Sequence, residues 1–170
     1  LSQNFVWYQS YGLFAGFFYK QKLSLQLKLL QSFFNPDKWL ISKSDSIGII
    51  PGMGKYSSLN NGIWTKTLIN CNLHWHTFSF LWFDIGYGKH FLGEGQRSLF
   101  LSDNASSFPY IKGTAKKWKV QYIVLYSFFE EPRWKNFNMK YTRKNSTLHY
   151  LSWKINRSFS VHAYETVVWQ

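Results

Sequence analysis

Apolar and polar residues alternate along much of the chain, which is typical of β-strands whose two faces meet different surroundings. The clearest stretch runs from Lys117 to Phe129. One of its faces carries Trp118, Val120, Tyr122, Val124, Tyr126 and Phe128, and the other carries Lys117, Lys119, Gln121, Ile123, Leu125 and Ser127. A tilted strand of this length is long enough to cross a bilayer. The pattern predicts a strand with one unbroken apolar face.

Similar alternation predicts further strands. These are Leu23–Leu29, Ile69–His76, Leu81–Gly88, Leu151–Ile155 and Phe159–Tyr164, with a less regular first strand over Phe5–Tyr19. Together they predict an antiparallel all-β fold of about seven strands. Single-chain bacterial barrels close with an even number of strands, so we expect an incomplete transmembrane β-barrel. Open strand edges of such a fragment would be prone to aggregation.

The predicted connections between strands are of two sizes. Tight turns fall near Lys20-Gln21, Thr77-Phe78 and Asn156-Arg157, and longer connections cover residues 34–63, 89–116 and 130–145. Short turns at one end and long loops at the other are the plan of an outer-membrane barrel, although a soluble sandwich also has loops of mixed length. If each predicted strand crosses the sheet once, the tight turn at Asn156-Arg157 falls at the end that holds the long loops. One further crossing by an unidentified segment would move this turn to the short-turn end. A helix near Arg97–Leu101 is one candidate for it.

The composition indicates an unusual surface. Aromatic residues make up 21% of the chain and charged residues only 16%, against about 25% charged residues in an ordinary soluble domain. The net charge is +12, from 20 Lys and Arg against 8 Asp and Glu. That excess reflects either a Lys-rich coding bias or attraction to a polyanion such as nucleic acid, lipopolysaccharide or an acidic glycan. Composition leaves both explanations open.

Several structural classes are excluded by simple counts. The lone Cys71 excludes an internal disulfide framework and a cysteine-based zinc site. No stretch of 18 apolar residues is present, so a transmembrane helix is excluded. The chain starts at Leu1 without a signal-peptide pattern. We therefore expect residues 1–170 to be part of one outer-membrane barrel domain, truncated at both ends.

Candidate motifs for nucleotides, metals and nucleic acids are weak. Gly54-Lys55 lies in a glycine-rich segment, but Tyr56 follows the lysine and the spacing of a phosphate loop fails. His74 and His76 share a strand face without an evident third ligand, so no metal and no cofactor are expected. The alternation separates Trp118 from its neighbouring lysines, whereas a nucleic-acid groove needs both on one face. No nucleic-acid partner is expected.

Hydrolytic chemistry also finds little support in the sequence. Glu94 and Asp103 are the pair that could face one glycosidic bond. Ser98 or Ser102 would need a paired base to act as a nucleophile, and no Gly-x-Ser-x-Gly motif is present. We therefore assign no catalytic residues.

The most distinctive stretch runs from Gly86 to Tyr110. A strand ends in Gly86-Tyr87-Gly88-Lys89, and Phe91–Gly95, Arg97–Ala105 and Pro109 follow. In this order the segments resemble the Wzi-type capsule assembly family of outer-membrane proteins. His149–Trp153 and Tyr164–Val168 are similar to later segments of that family, and the likeness covers roughly residues 73–170. Departures are Glu94 for the usual Asp, Gln96 where an aromatic is common, and Phe100 for Leu.

The resemblance implies an outer-membrane barrel of a Gram-negative bacterium that retains capsular or other surface polysaccharide without cleaving it, with some relatives associated with gliding. Its partners would be outer-membrane lipid and a surface glycan, for which the net charge favours an anionic one. The candidates for polysaccharide binding or for ordering the loop are Arg97, Ser98, Ser102, Asp103 and Asn104, and the structural motif residues are Gly86, Gly88, Gly93, Gly95 and Pro109. A soluble all-β carbohydrate-binding domain and an outer-membrane glycan hydrolase remain the alternatives.

Overall fold

The computed structural model describes residues 6–44, 49–50, 53–58, 62–93, 101, 106–135 and 138–170, without the side chains of Lys43 and of residues 131–141. Strands hold 74% of the described residues, and the fold is all-β and antiparallel, as predicted. In chain order the elements are β1 (Tyr8–Tyr19), β2 (Leu23–Phe34), α1 (Lys38–Ser44), β3 (Ile49–Ile50), β4 (Gly54–Lys55), β5 (Ser57–Ser58), β6 (Trp64–Phe78), β7 (Leu81–Gly88), β8 (Phe108–Lys117), β9 (Val120–Lys135), β10 (Asn138–Lys154) and β11 (Ser160–Trp169).

One sheet contains all the long strands, in the order β1-β2-β6-β7-β8-β9-β10-β11, and β5 adds to it beside β6. The long strands lie in the sheet in the same order as in the chain, and each is antiparallel to its neighbours, so the sheet is a meander. The short strands β3 and β4 pair with each other outside this sheet. Among the described residues the meander does not close, and β1 and β11 are its two edges.

The sheet contains a strand that the sequence pattern missed. Residues 89–116 were expected to be one long connection, but β8 occupies their second half and continues to Lys117. The path therefore holds eight strands rather than about seven. With β8 counted, the connections at 20–22, 79–80, 118–119 and 155–159 all lie at one end of the sheet. The missing crossing is thus a strand, and the Asn156-Arg157 turn belongs at the short-turn end.

Three other boundaries differ from the predictions. Trp118 lies in the β8–β9 turn with φ of 56°, not on the apolar face of β9. The turn expected at Thr77-Phe78 falls at Ser79 and Phe80. Residues 130–145 are not a loop, because β9 and β10 continue pairing as far as Lys135 and Asn138.

The two faces of the sheet differ sharply in character. The face that we call the apolar face carries Leu25, Leu73, Ile85, Ile111 and Tyr126 side by side on neighbouring strands, and all five side chains are exposed. The opposite face, which we call the covered face, carries the row His74, Asp84, Lys112, Leu125 and Leu148. Leu125 is only 1% exposed. The alternation predicted for β9 is therefore confirmed from Val120 to Phe128.

Burial on the covered face comes from neighbouring strands and from loop residues. One cluster joins inward side chains of β8, β9 and β10 to Leu92 in the loop after β7. A second cluster joins Phe34 and Trp64 to Ile50 of the β3–β4 hairpin, and Tyr56 stacks on Trp64 with ring centroids 3.9 Å apart. The long connections thus fold over one end of this face.

Candidate functional site

The residues predicted to bind polysaccharide fall outside the part of the chain that the structure describes. They are Arg97, Ser98, Ser102, Asp103 and Asn104, and Gly95 of the structural motif lies there too. The ends of this central loop are described and are tied together. The backbone N–H of Leu92 donates to the carbonyl of Leu101 over 2.9 Å, and Leu101 packs on the buried cluster that contains Leu92. The loop is therefore anchored to the covered face at both ends.

Two glycines of the structural motif lie on the covered face of β7 and have different surroundings. A Cβ atom on Gly86 would lie 2.0 Å from the carbonyl oxygen of Cys71, so β6 passes too close for any side chain. A Cβ atom on Gly88 would meet nothing nearer than a ring carbon of Tyr110 at 3.7 Å. Of these two positions, only residue 86 must be glycine, because β6 lies too close to β7 there for a Cβ atom.

The remaining described motif residues belong to the loop and to β8. Gly93 adopts φ of 126°, which residues with a side chain rarely do. Pro109 pairs with Tyr87 and stands just ahead of Tyr110, where the pairing of β8 with β9 begins. A proline near the start of a strand does not remove a hydrogen bond from the middle of the sheet.

A charged cluster occupies the middle of the covered face. Asp84 accepts hydrogen bonds on both carboxylate oxygens, from His74 Nδ1 at 2.6 Å and from Lys112 Nζ at 3.0 Å. Asp84 is 4% exposed, and a buried carboxylate needs such partners to offset its lost hydration. Beside this row the Tyr110 hydroxyl donates to Asn72 Oδ1 over 3.2 Å. These contacts tie β6, β7 and β8 together.

Histidines near this cluster have no arrangement that suggests a metal site. His74 is engaged with Asp84, and His76 stacks on Trp82. In the described residues, no three His, Cys, Asp or Glu side chains group as metal ligands would. His90 packs edge-on against Tyr110, and burial, with a smaller contribution from Lys112, lowers its pKa to about 4. His90 is therefore neutral at physiological pH.

A cavity lies at the long-loop end, where neighbouring strands differ in length. β7 ends at Gly88 and β8 begins at Phe108, whereas β6 and β9 both continue beyond them. The resulting gap, which we call the notch, contains a cavity of about 600 Å³. Gly54 of the β2–β6 connection and Ser106 of the β7–β8 connection both line it. They lie close together, since a Cβ atom on Gly54 would be 3.2 Å from Ser106, and it would be 3.6 Å from Lys66 Nζ of β6.

The lining of the notch includes a group of basic side chains. Its charged residues are Lys55, Lys66, Arg143, Lys144 and Glu130. Lys55 Nζ and Glu130 Oε2 form an ion pair at 2.9 Å, which bridges the β4 segment to β9. Lys66 Nζ donates to the backbone carbonyl of Lys55. The arrangement concentrates positive charge around an open cavity.

Sequence reasoning did not identify the notch. Its charged residues come from four separate parts of the chain, and each is an unremarkable lysine or arginine in its own segment. Glu130 and Arg143 become neighbours only through the β9–β10 register, in a region that the pattern assigned to a loop. No local sequence signal could have brought these residues together.

Comparisons with known proteins do not assign the chain to a family. No family model, no curated protein and no solved structure matches it. The resemblance to the Wzi-type family therefore stays a prediction. In the described part of the chain, no helix is long and apolar enough to cross a membrane.

Proposed function

We propose that this chain forms part of the wall of an outer-membrane β-barrel that retains capsular or other surface polysaccharide on a Gram-negative cell without cleaving it. The observation that carries the proposal is the inversion of the two sheet faces. Large apolar side chains are exposed across neighbouring strands, while the charged cluster at Asp84 is buried on the other face. A water-soluble sheet would place these groups the other way round.

Lipid is the medium that best fits the apolar face. Monomeric soluble proteins rarely expose a continuous apolar patch larger than a few hundred Å², and here the patch extends from Leu25 on β2 to Tyr126 on β9. On β10 and β11 the same face carries exposed Leu151 and Val167 together with the polar residues Thr147, His149 and Glu165. On β9 the apolar band runs from Val120 to Phe128, between Lys119 and Glu130. A tilted strand crosses the hydrocarbon core with about 9–11 residues. The length and the charged limits of the band both match a bilayer.

The retention of polysaccharide is supported by charge and by the central loop. The net charge is +12, and the segment that resembles the capsule assembly family is anchored at Leu92 and Leu101 on the covered face. Within the described residues, Asp84 on the covered face pairs with His74 and Lys112, and Glu130 at the notch pairs with Lys55. Such paired carboxylates favour a binding role over glycoside hydrolysis, which needs one protonated carboxyl group as an acid.

Capsule release from cells tests both parts of this function. Cells that carry Arg97→Ala should shed more polysaccharide into the medium than cells that carry the unmodified protein at the same level, because a cationic contact to the glycan is lost. Glu94→Gln should leave the shed amount unchanged. The shed glycan should have the same chain-length distribution in all three strains. Shorter chains with the unmodified protein, restored to full length by Glu94→Gln, would show that the protein is a hydrolase.

A further inference from the structure

We propose that the notch is a binding site for carboxylate-bearing sugars of an acidic polysaccharide. This inference rests on the proposed function and specifies its ligand and its residues. The notch lies at the long-loop end, beyond the apolar band of β9, because Phe128 closes that band and Glu130 and Arg143 follow it. The site is therefore placed in water beside the membrane rather than inside it.

The charges that line the notch favour an anion. Lys55, Lys66, Arg143 and Lys144 stand against the single carboxylate of Glu130 among the described lining residues. Lys55 is held by Glu130 and Lys66 by a backbone carbonyl, so these ammonium groups are positioned before a ligand arrives. Arg143 lies directly across from Glu130 in the register, and its guanidinium group can bind a carboxylate through two parallel hydrogen bonds.

The apolar part of the lining favours a sugar over a small inorganic anion. Phe108 and Phe129 line the notch from the covered face with ring centroids 4.8 Å apart, and Phe129 is partly exposed. Sugar rings have apolar C–H faces that pack on aromatic rings, whereas phosphate or sulfate has no such face. The volume of about 600 Å³ lies within the usual range of ligand pockets, about 300–1,000 Å³. A short segment of a polysaccharide chain fits this combination of size and chemistry.

Substitution of Glu130 tests the proposal, because it should raise the affinity for an acidic glycan rather than lower it. Glu130 is the carboxylate that faces the cationic groups of the notch, and it neutralises Lys55. Glu130→Gln removes the ion pair with Lys55 and a negative charge that would repel an acidic glycan. The affinity for that glycan should therefore rise by about threefold, the size of an ordinary exposed ion-pair effect. Arg143→Gln should lower it by about tenfold, as expected for the loss of a charge-assisted hydrogen bond.

The experiment is a titration of the protein in detergent micelles with two probes, an oligogalacturonate and its methyl-esterified form. The proposal expects the acid to bind more tightly than the ester, with opposite effects of Glu130→Gln and Arg143→Gln on the acid alone. Lys154→Gln is the matched control, because Lys154 is an exposed lysine at the other end of β10. Circular dichroism checks that each variant keeps its strand content.

The remaining outcomes separate this inference from the proposed function. Equal binding of acid and ester, unaffected by either notch variant, would overturn the acidic-sugar site and leave polysaccharide binding standing. Binding of neither probe would count against polysaccharide binding itself. Displacement of the acid by inorganic phosphate, at an ionic strength kept constant, would show a general anion site and overturn the assignment to a sugar.

Discussion

Gly86 shows how closely two strands approach at one residue of this sheet. Its neighbour in the register is Asn72, and a Cβ atom at Gly86 would lie 2.0 Å from the Cys71 carbonyl oxygen and 3.1 Å from the Asn72 Cα atom. These are backbone atoms, so they cannot move aside as the end of a flexible side chain would. A side chain here requires β6 and β7 to separate beside the buried Asp84 cluster.

Gly86→Ala should therefore destabilise the protein by about 3 kcal/mol, at the upper end of the usual cost of overpacking a core. Gly88→Ala is the matched control, since its new Cβ would make only ordinary contacts, and it should change stability by less than about 0.5 kcal/mol. Urea unfolding of both variants in detergent micelles measures the difference. Equal midpoints for the two variants would show that the close approach at Gly86 is not a feature of the folded protein.

At the scale of single strands, β9 has the most unequal faces. Val124 lies on the apolar face, and Gln121 lies on the covered face near the short-turn end. Val124→Arg should cost about 2–4 kcal/mol in a bilayer, because it places a cation at mid-strand in hydrocarbon, whereas Gln121→Arg should cost much less. Equilibrium folding into lipid vesicles, followed by tryptophan fluorescence, gives both values. Equal losses at the two positions would remove the lipid assignment of this strand.

The strands that the sequence predicted are those with large alternating side chains. β9 was predicted because Val120, Tyr122, Val124, Tyr126 and Phe128 form an unbroken apolar series. In β8 the apolar face is made by Ile111, Gly113 and Ala115, and the last two are too small to give a clear apolar signal. Pro109 is a residue that strand patterns usually exclude. β8 exists because β7 and β9 pair with it on either side, which is information that no single segment contains.

Charge and backbone conformation explain the other differences from the sequence prediction. The outer half of the β9–β10 hairpin is rich in charged and polar residues from Glu130 to Lys144, so its sequence shows no regular apolar face, although β9 and β10 pair there. Trp118 matches the alternation by residue type, but its positive φ places it in a turn. The candidates in the central loop lie outside the described residues and stay a prediction. The notch depends on the register of strands far apart in sequence, which no local pattern contains.

At the scale of the whole molecule, the described sheet has two open edges and one face that is apolar from β2 to β9. β1 and β11 are the edge strands, and along β1 every residue is exposed. Unpaired edges present backbone groups that favour pairing with another strand, and a lipid environment makes such pairing obligatory. The proposed barrel therefore requires strand partners at β1 and β11.

The central claim is that lipid covers the whole apolar face, and spin-label accessibility measures this most directly. In a Cys71→Ser background, single cysteines carry a nitroxide at neighbouring positions on opposite faces of β9, β10 and β11, and the protein is reconstituted in vesicles. The pairs, each with the apolar-face residue first, are Tyr122 and Gln121, Leu151 and Ser152, and Val167 and Thr166.

In every pair the first label should collide more often with lipid-soluble oxygen and less often with a water-soluble nickel chelate than the second. The preference should alternate with the period of two that β-strands impose. Equal access of the nickel chelate to both faces on all three strands would contradict the account, because the exposed apolar surface would then lie in water.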